Sequence, residues 1–195
     1  TLHLNSFTGT GKINCSSAGD LTIDLTGTNT LTVTLAENGD NQAINSSGLI
    51  TFTGSGSLTV NMTNSGASGK NTAIYGAKGV AVSGSATLAV SVQGGVYDYG
   101  IYGGGGVTIS ENATVNVTTN VTVDGGTGRA IYCDEGAISI SSANPTTVTL
   151  TGSKNNGTNY GIFNIAGNSG TPNNGNITLS GTGKVTVQYQ SGPFA

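Results

Sequence analysis

Four short phrases in this chain place an aromatic ring directly after an Ala-Ile or Gly-Ile pair: TAIYG at 72–76, DYGIY at 98–102, RAIYC at 129–133 and TNYGIF at 158–163. Aromatic residues make up only 6% of the sequence and Trp is absent, so their return to one setting needs a cause. Rings at a fixed position can form a stacking platform: the C–H face of a sugar packs on a flat ring while its hydroxyls pair with polar neighbours. Tyr75, Tyr102, Tyr132 and Phe163 are the candidates for such a platform. Tyr99, Arg129 and Tyr160, each two residues before the isoleucine, flank it, and Tyr97 lies in the loop before. The competing reading is a ladder of rings that stack on one another and only hold the fold together. Left exposed over several coils, the same rings would be a contact surface.

Acids are the second kind of candidate. ENGDN at 37–41 offers Glu37 and Asp40, and CDEG at 133–136 offers Asp134 and Glu135, as oxygen ligands for calcium. Neither stretch matches an EF-hand loop, and acids in turns are ordinarily just solvated. A polysaccharide lyase would need a base near calcium-holding acids, and Arg129 with Asp134 and Glu135 is the only such grouping. A glycoside hydrolase needs clustered carboxylates. Asp134 and Glu135 are adjacent, so on a strand they would point to opposite faces. No enzyme is expected. His3 has no visible partner and reads as a surface residue. The GGGG at 103–106 lacks the helix and Lys of a phosphate loop.

These residues need a scaffold, and the composition says which kind. The chain has 195 residues, 33 of them Gly, and only 8% are charged. Good helix formers are scarce and no stretch sustains a 3.6-residue period. Alternation such as LTIDL, LTVTL and SLTVNM is everywhere, with Gly and Asn between, which is strand patterning. A net charge of −3 with six basic residues argues against nucleic acid and against an anionic membrane surface. No run of 18 apolar residues offers a membrane-spanning helix.

The isoleucines of the phrases recur as Ile13, Ile44, Ile74, Ile101, Ile131 and Ile162, in nearly even steps along the chain. A period of roughly 30 residues means a repeat architecture. A second strand follows each anchor: Ile23/Leu25, Ile50/Phe52, Val80/Val82, Val107/Ile109, Ile138/Ile140 and Ile177/Leu179. A third follows a short turn: Leu31/Val33/Leu35, Leu58/Val60/Met62, Leu88/Val90/Val92, Val115/Val117, Val148/Leu150 and Val185/Val187. Three strands per unit with no crossover helix predict an all-β, right-handed parallel β-helix of about six coils, spanning 1–195 as one domain. The opening TLHL reads as a third strand of an earlier coil. The abrupt start suggests a piece trimmed from a longer protein.

The columns then carry meaning. One residue after the anchor stand Asn14, Asn45, Tyr75, Tyr102, Tyr132 and Phe163, pointing outward. Two residues after it stand Cys15, Ser46, Gly76, Gly103, Cys133 and Asn164, pointing inward. The two cysteines, four coils and so roughly 19 Å apart, cannot form a disulfide and are expected as buried thiols. The outward columns of the other strands are rich in Thr and Ser. They read as a β-branched solvent face. A flat threonine array can also order water, as in ice-binding β-helices, but Asp24, Ala81 and Ala89 interrupt it. The connections from third strand to anchor vary most, and an insertion, NIAGNSGTPNNG, follows the last anchor.

The cycle "(A/G)-I-Y … V-x-V/I-x-G … L-x-V" over roughly residues 11 to 190 resembles bacterial secreted carbohydrate-binding β-helix proteins of the clostridial cellulose- and pectin-binding type, whose fold is pectate-lyase-like. The resemblance implies a secreted or cell-surface protein, here expected as a monomer, that binds polysaccharide, often with calcium. This chain departs from the pattern at the acid that commonly precedes Gly-Ile. Gly11, Gln42, Thr72, Tyr99, Arg129 and Tyr160 stand there instead, and only Asp98 comes close. That shifts weight from calcium to aromatic contacts. The alternatives are a structural or adhesin stalk module and, with less support, a polysaccharide lyase or an ice-binding protein.

Overall fold

The computed structural model describes residues 1–16, 19–66, 68–152, 157–165 and 175–190. Most of the insertion after the last anchor lies outside them. Every described element is a strand, and all the strands run parallel in three sheets. The chain is a parallel β-helix with three strands per coil.

The anchor sheet holds six strands: Ile13–Cys15, Asn41–Ser46, Lys70–Gly76, Tyr97–Gly103, Thr127–Cys133 and Thr158–Asn164. The second sheet holds seven: Leu2–Asn5, Leu21–Thr26, Leu49–Gly54, Gly79–Val82, Val107–Ile109, Ile138–Ile140 and Ile177–Leu179. The third sheet also holds seven: Thr8–Thr10, Thr28–Leu35, Ser57–Asn64, Thr87–Gln93, Thr114–Val121, Thr146–Gly152 and Val185–Gln190. The six anchors pair one after another along the stack, from Ile13 with Ile44 to Ile131 with Ile162. Ile44, Ile74, Ile101 and Ile131 are completely buried. Each such side chain stabilises the fold by about 1.5–3 kcal/mol, but only because adjacent coils close over it.

Four expectations need correction. The segment Leu2–Asn5 is a second strand, pairing Leu2 with Ile23 and Leu4 with Leu25. Leu-x-Leu alternation marks a strand but not which sheet it joins. Second, the second and third strands of the first coil are shifted by two residues against those of the next, while its anchor is not. Ile23 pairs with Phe52 rather than Ile50, and Leu31 with Val60 rather than Leu58. Val148 likewise pairs with Val117 rather than Val115. A two-residue shift keeps every side chain on its own face, so alternation alone cannot detect it. Third, Tyr97 begins an anchor strand instead of lying in the loop, and is 41% exposed. Fourth, Cys133 is buried but Cys15 only half-buried. Cys15 sits in the outermost strand of its sheet, with a neighbour on one side only. Of the second-strand outward column, Thr22, Thr51, Ala81, Thr108, Ser139 and Thr178 do stand in line.

Candidate functional site

The aromatic face exists because the anchor strands break alternation. Pairing runs Tyr99 with Arg129 and then Ile101 with Ile131, leaving out Gly100 and Ala130 between them. The same residue is skipped in the neighbouring coils. At the skipped position Ala43, Ala73 and Ala130 are as fully buried as the isoleucines after them. Two consecutive buried residues shift the phase of the strand. The residue before the pair and the residue after it therefore share the outer face, where strict alternation would put them on opposite faces. The skipped residue must be small. A Cβ on Gly100 would come within 2.2 Å of Val117 Cγ1 and 2.6 Å of the Ala130 carbonyl oxygen.

Two columns thus stand side by side. Asn14, Asn45, Tyr75, Tyr102, Tyr132 and Phe163 are in register, as are Thr72, Tyr99, Arg129 and Tyr160. The ladder begins as amides, with Asn45 Nδ2 donating to Asn14 Oδ1 at 3.4 Å, and becomes aromatic at Tyr75. Tyr75 meets Tyr102 edge to face at 4.9 Å between centroids, and Tyr102 meets Tyr132 likewise at 4.8 Å. Tyr99 and Tyr132 stack at 5.3 Å and 12°, Tyr160 and Phe163 at 4.1 Å and 18°. Arg129 lies among them, its Cζ 4.6 Å from the Tyr132 centroid and 5.3 Å from those of Tyr99 and Phe163, within cation–π range. Its Nη1 donates to the Tyr99 hydroxyl at 2.8 Å. Its buried Nε has no hydrogen-bond partner among the described residues.

This geometry changes what the rings can offer. Near-parallel rings at these separations are too close to lie side by side in one plane, so they cover one another's faces. Tyr99 and Tyr132 retain only 5% exposure each. A continuous flat platform for sugar rings is therefore not formed. What remains accessible is a margin of half-buried groups, namely Tyr75, Tyr102, Arg129, Tyr160 and Phe163, with the more exposed Tyr97 beside Lys70.

The four candidate calcium ligands fall in two places. Glu37 Oε2 is 3.5 Å from Lys12 Nζ, and Asp40 Oδ2 is 3.1 Å from Lys70 Nζ. The hydrogen bond to Asp40 is the main reason the Lys70 ammonium is held above its ordinary pKa. Asp134 and Glu135 lie in the turn after their strand, so the opposite-face expectation for a strand does not apply. Asp134 is half-buried and accepts the hydroxyls of both Tyr102 and Tyr132, one on each oxygen. Glu135 is exposed. Burial first, and then the bond to Asp134, push both phenols above the usual tyrosine range. Burial also raises Tyr99, against the pull of Arg129 and Lys70. Among the described residues no group of three His, Cys, Asp or Glu side chains comes together. His3, expected without a partner, meets Asp24 Oδ2 at 3.0 Å through Nδ1.

Sequence reasoning missed one inward column. Three residues before the anchors, Asn41, Asn71 and Asp98 stand in register and are buried. Asn64 Nδ2 donates to Asn71 Oδ1 at 2.8 Å, and Asn71 Nδ2 to Asp98 Oδ1 at 3.1 Å. Asp98 also accepts the Gly94 and Gly95 backbone N–H groups at 3.0 and 2.9 Å. It is fully buried, and burial pushes its carboxyl up to about 6 against those three bonds. The signal for this column is the recurrence of Asn or Asp at a fixed distance before the isoleucine, inside the same repeat that carries the rings.

No protein-family model, curated protein or solved structure matches the chain.

Proposed function

We propose that this chain is an extracellular polysaccharide-binding β-helix module that carries out no catalysis. The observation behind the reading is one surface on which six aromatic rings and Arg129 meet across four coils of a scaffold otherwise faced with Thr, Ser and Asn. A sugar chain would lie along the margin of this cluster. It would contact Tyr75, Tyr97, Tyr102, Tyr160 and Phe163 at their open edges, with Arg129 and the Tyr102 hydroxyl as polar partners. Binding to a glycan array and to insoluble polysaccharides tests it. Tyr160→Ala with Tyr97→Ala should weaken binding about thirtyfold without unfolding the chain, since each of the two aromatic contacts carries roughly 1 kcal/mol.

A second reading, a structural or adhesive stalk module, is favoured by the near-complete burial of Tyr99 and Tyr132. Their rings and hydroxyls are already satisfied by neighbours in the chain. On that reading no glycan is retained, and Tyr102→Ala with Tyr132→Ala changes stability alone.

A further inference from the structure

The first coil turns its corner more tightly than the next. Only Gly11 and Lys12 join its third strand to its anchor strand, where the following coil has residues 36–40. Pairing between these two anchor strands therefore starts at Ile13 with Ile44, and the first coil has no strand residue in line with Asn41. Asn41 is the near end of the buried polar column that continues as Asn71 and Asp98. The Lys12 side chain reaches it instead. Lys12 Nζ donates to Asn41 Oδ1 at 3.0 Å, and Glu37 Oε2 stands 3.5 Å from the same nitrogen. The amide is held in this orientation, because its Nδ2 donates to the Gly39 carbonyl at 3.1 Å. Asn41 is only 5% exposed, while Lys12 and Glu37 approach it from the solvent side.

An exposed Lys–Glu pair is an ordinary surface feature that contributes little. A buried carboxamide on that same ammonium adds chemistry. An amine, an amide carbon and a carboxylate able to move protons meet at one point. Nζ touches Oδ1, which is one covalent bond from Cγ. Such a fixed contact makes attack on that carbon intramolecular, which favours it strongly over the same reaction between separate molecules.

We propose that Lys12 and Asn41 join in an isopeptide cross-link, with Glu37 as the acid–base group. Glu37 takes one proton from the Lys12 ammonium and frees the electron pair on Nζ. Nζ attacks Cγ, forming the new C–N bond and moving the carbonyl pair onto Oδ1. Glu37 then gives its proton to Nδ2 and takes a second one from Nζ. The carbonyl reforms, the Cγ–Nδ2 bond breaks, and ammonia leaves with the proton still on Glu37. Nothing is oxidised or reduced. The product is a secondary amide between Nζ and Cγ that ties the first coil to the second. The first coil has a neighbour on one side only, so it is where a stack of coils would fray.

The cross-link is independent of the polysaccharide reading, because its three residues lie outside the aromatic cluster. Mass spectrometry of the intact purified chain tests it. After incubation at neutral pH the chain should be lighter than its sequence by one ammonia. A protease digest should yield a branched peptide joining Lys12 to Asn41. Lys12→Arg keeps the charge but has no such amine, and should hold the full mass. Glu37→Gln, at an exposed position, should fold like the parent and lose ammonia far more slowly. A folded parent chain that stays at the full mass of its sequence would overturn the proposal. An equal loss in Lys12→Arg would do so too, since it would place the lost ammonia at a succinimide, as at Asn38-Gly39. An unchanged rate in Glu37→Gln would overturn the acid–base role that the mechanism requires.

Discussion

Tyr99 stacks on Tyr132 at 5.3 Å and 12°, although the first precedes its anchor isoleucine by two residues and the second follows its own by one. Three residues of offset in a strand should separate the two onto opposite faces. They meet because Gly100 and Ala130 turn inward together with Ile101 and Ile131. The recurrent Ala-Ile or Gly-Ile before a ring is thus the device that lets two outward columns merge into one cluster.

The space left for that device is small, so filling it should cost stability. In Gly100→Ala the new methyl meets Val117 Cγ1 and the Ala130 carbonyl, and a backbone oxygen cannot move aside as a side chain can. The expected loss is about 1–3 kcal/mol, typical of an overpacked core. Denaturant unfolding measures it, and Gly100→Val should lose more. An unchanged midpoint for both would mean that the skipped residue is not held inward.

Asp134 ties Tyr102 to Tyr132, and removing its charge should show in their titration. The carboxylate acts alongside burial to keep both phenols protonated. In Asp134→Asn they should release their protons at lower pH than in the parent chain, yet still above the ordinary tyrosine range, because burial remains the larger cause. Tyrosinate absorbance during alkaline titration reads this directly. Stability should fall by about 1–2 kcal/mol, as expected for hydrogen bonds to a charged acceptor in a half-buried setting.

The repeat was legible because each coil has to present the same small set of inward side chains, and Ile44, Ile74, Ile101 and Ile131 answer to one another at regular steps along the chain. What failed to show follows from the same chemistry. Thr-x-Thr strands look alike two residues apart, so the shift of Leu31 onto Val60 left no trace in the pattern. The columns of rings were legible, but their orientation was not. Whether Tyr132 offers a face or hides it depends on side-chain rotation and on neighbours such as Tyr99, which belongs to the preceding coil. Asp98 looked like a displaced family acid, while its actual setting is a buried amide ladder inside the coil.

The two cysteines should differ sharply in reactivity, although one column holds both. Cys133 is fully buried, its thiol is pushed up by that burial, and Sγ accepts the Gly136 N–H at 3.2 Å. Cys15 sits half-buried in the outermost anchor strand. Under native conditions iodoacetamide should modify Cys15 alone, because a buried thiol of raised pKa supplies little thiolate. Mass spectrometry of the digested protein locates the label. Equal labelling of both would show that the last coils open readily.

Asp98 should make the fold more stable in mild acid than at neutral pH. Its carboxyl sits at about 6 in the folded chain against an ordinary value of 3.8, so between those limits the folded state holds the proton more often than the unfolded state does. Stability contributed by this group is therefore complete below about pH 4 and is lost as pH rises through about 6. The rise from 3.8 to about 6 corresponds to about 3 kcal/mol over that range. The direction is opposite to that of a salt-bridged carboxylate, because burial in the amide ladder outweighs the three hydrogen bonds that favour the charged form. Asp98→Asn has no proton to release, so its stability should lose this slope between pH 4 and 6 while the parent chain keeps it. Chemical denaturation at pH 4.5, 5.5 and 7 compares the two. Parallel curves for parent and variant would show that Asp98 titrates in its ordinary range and that its three donors, not its burial, set its charge.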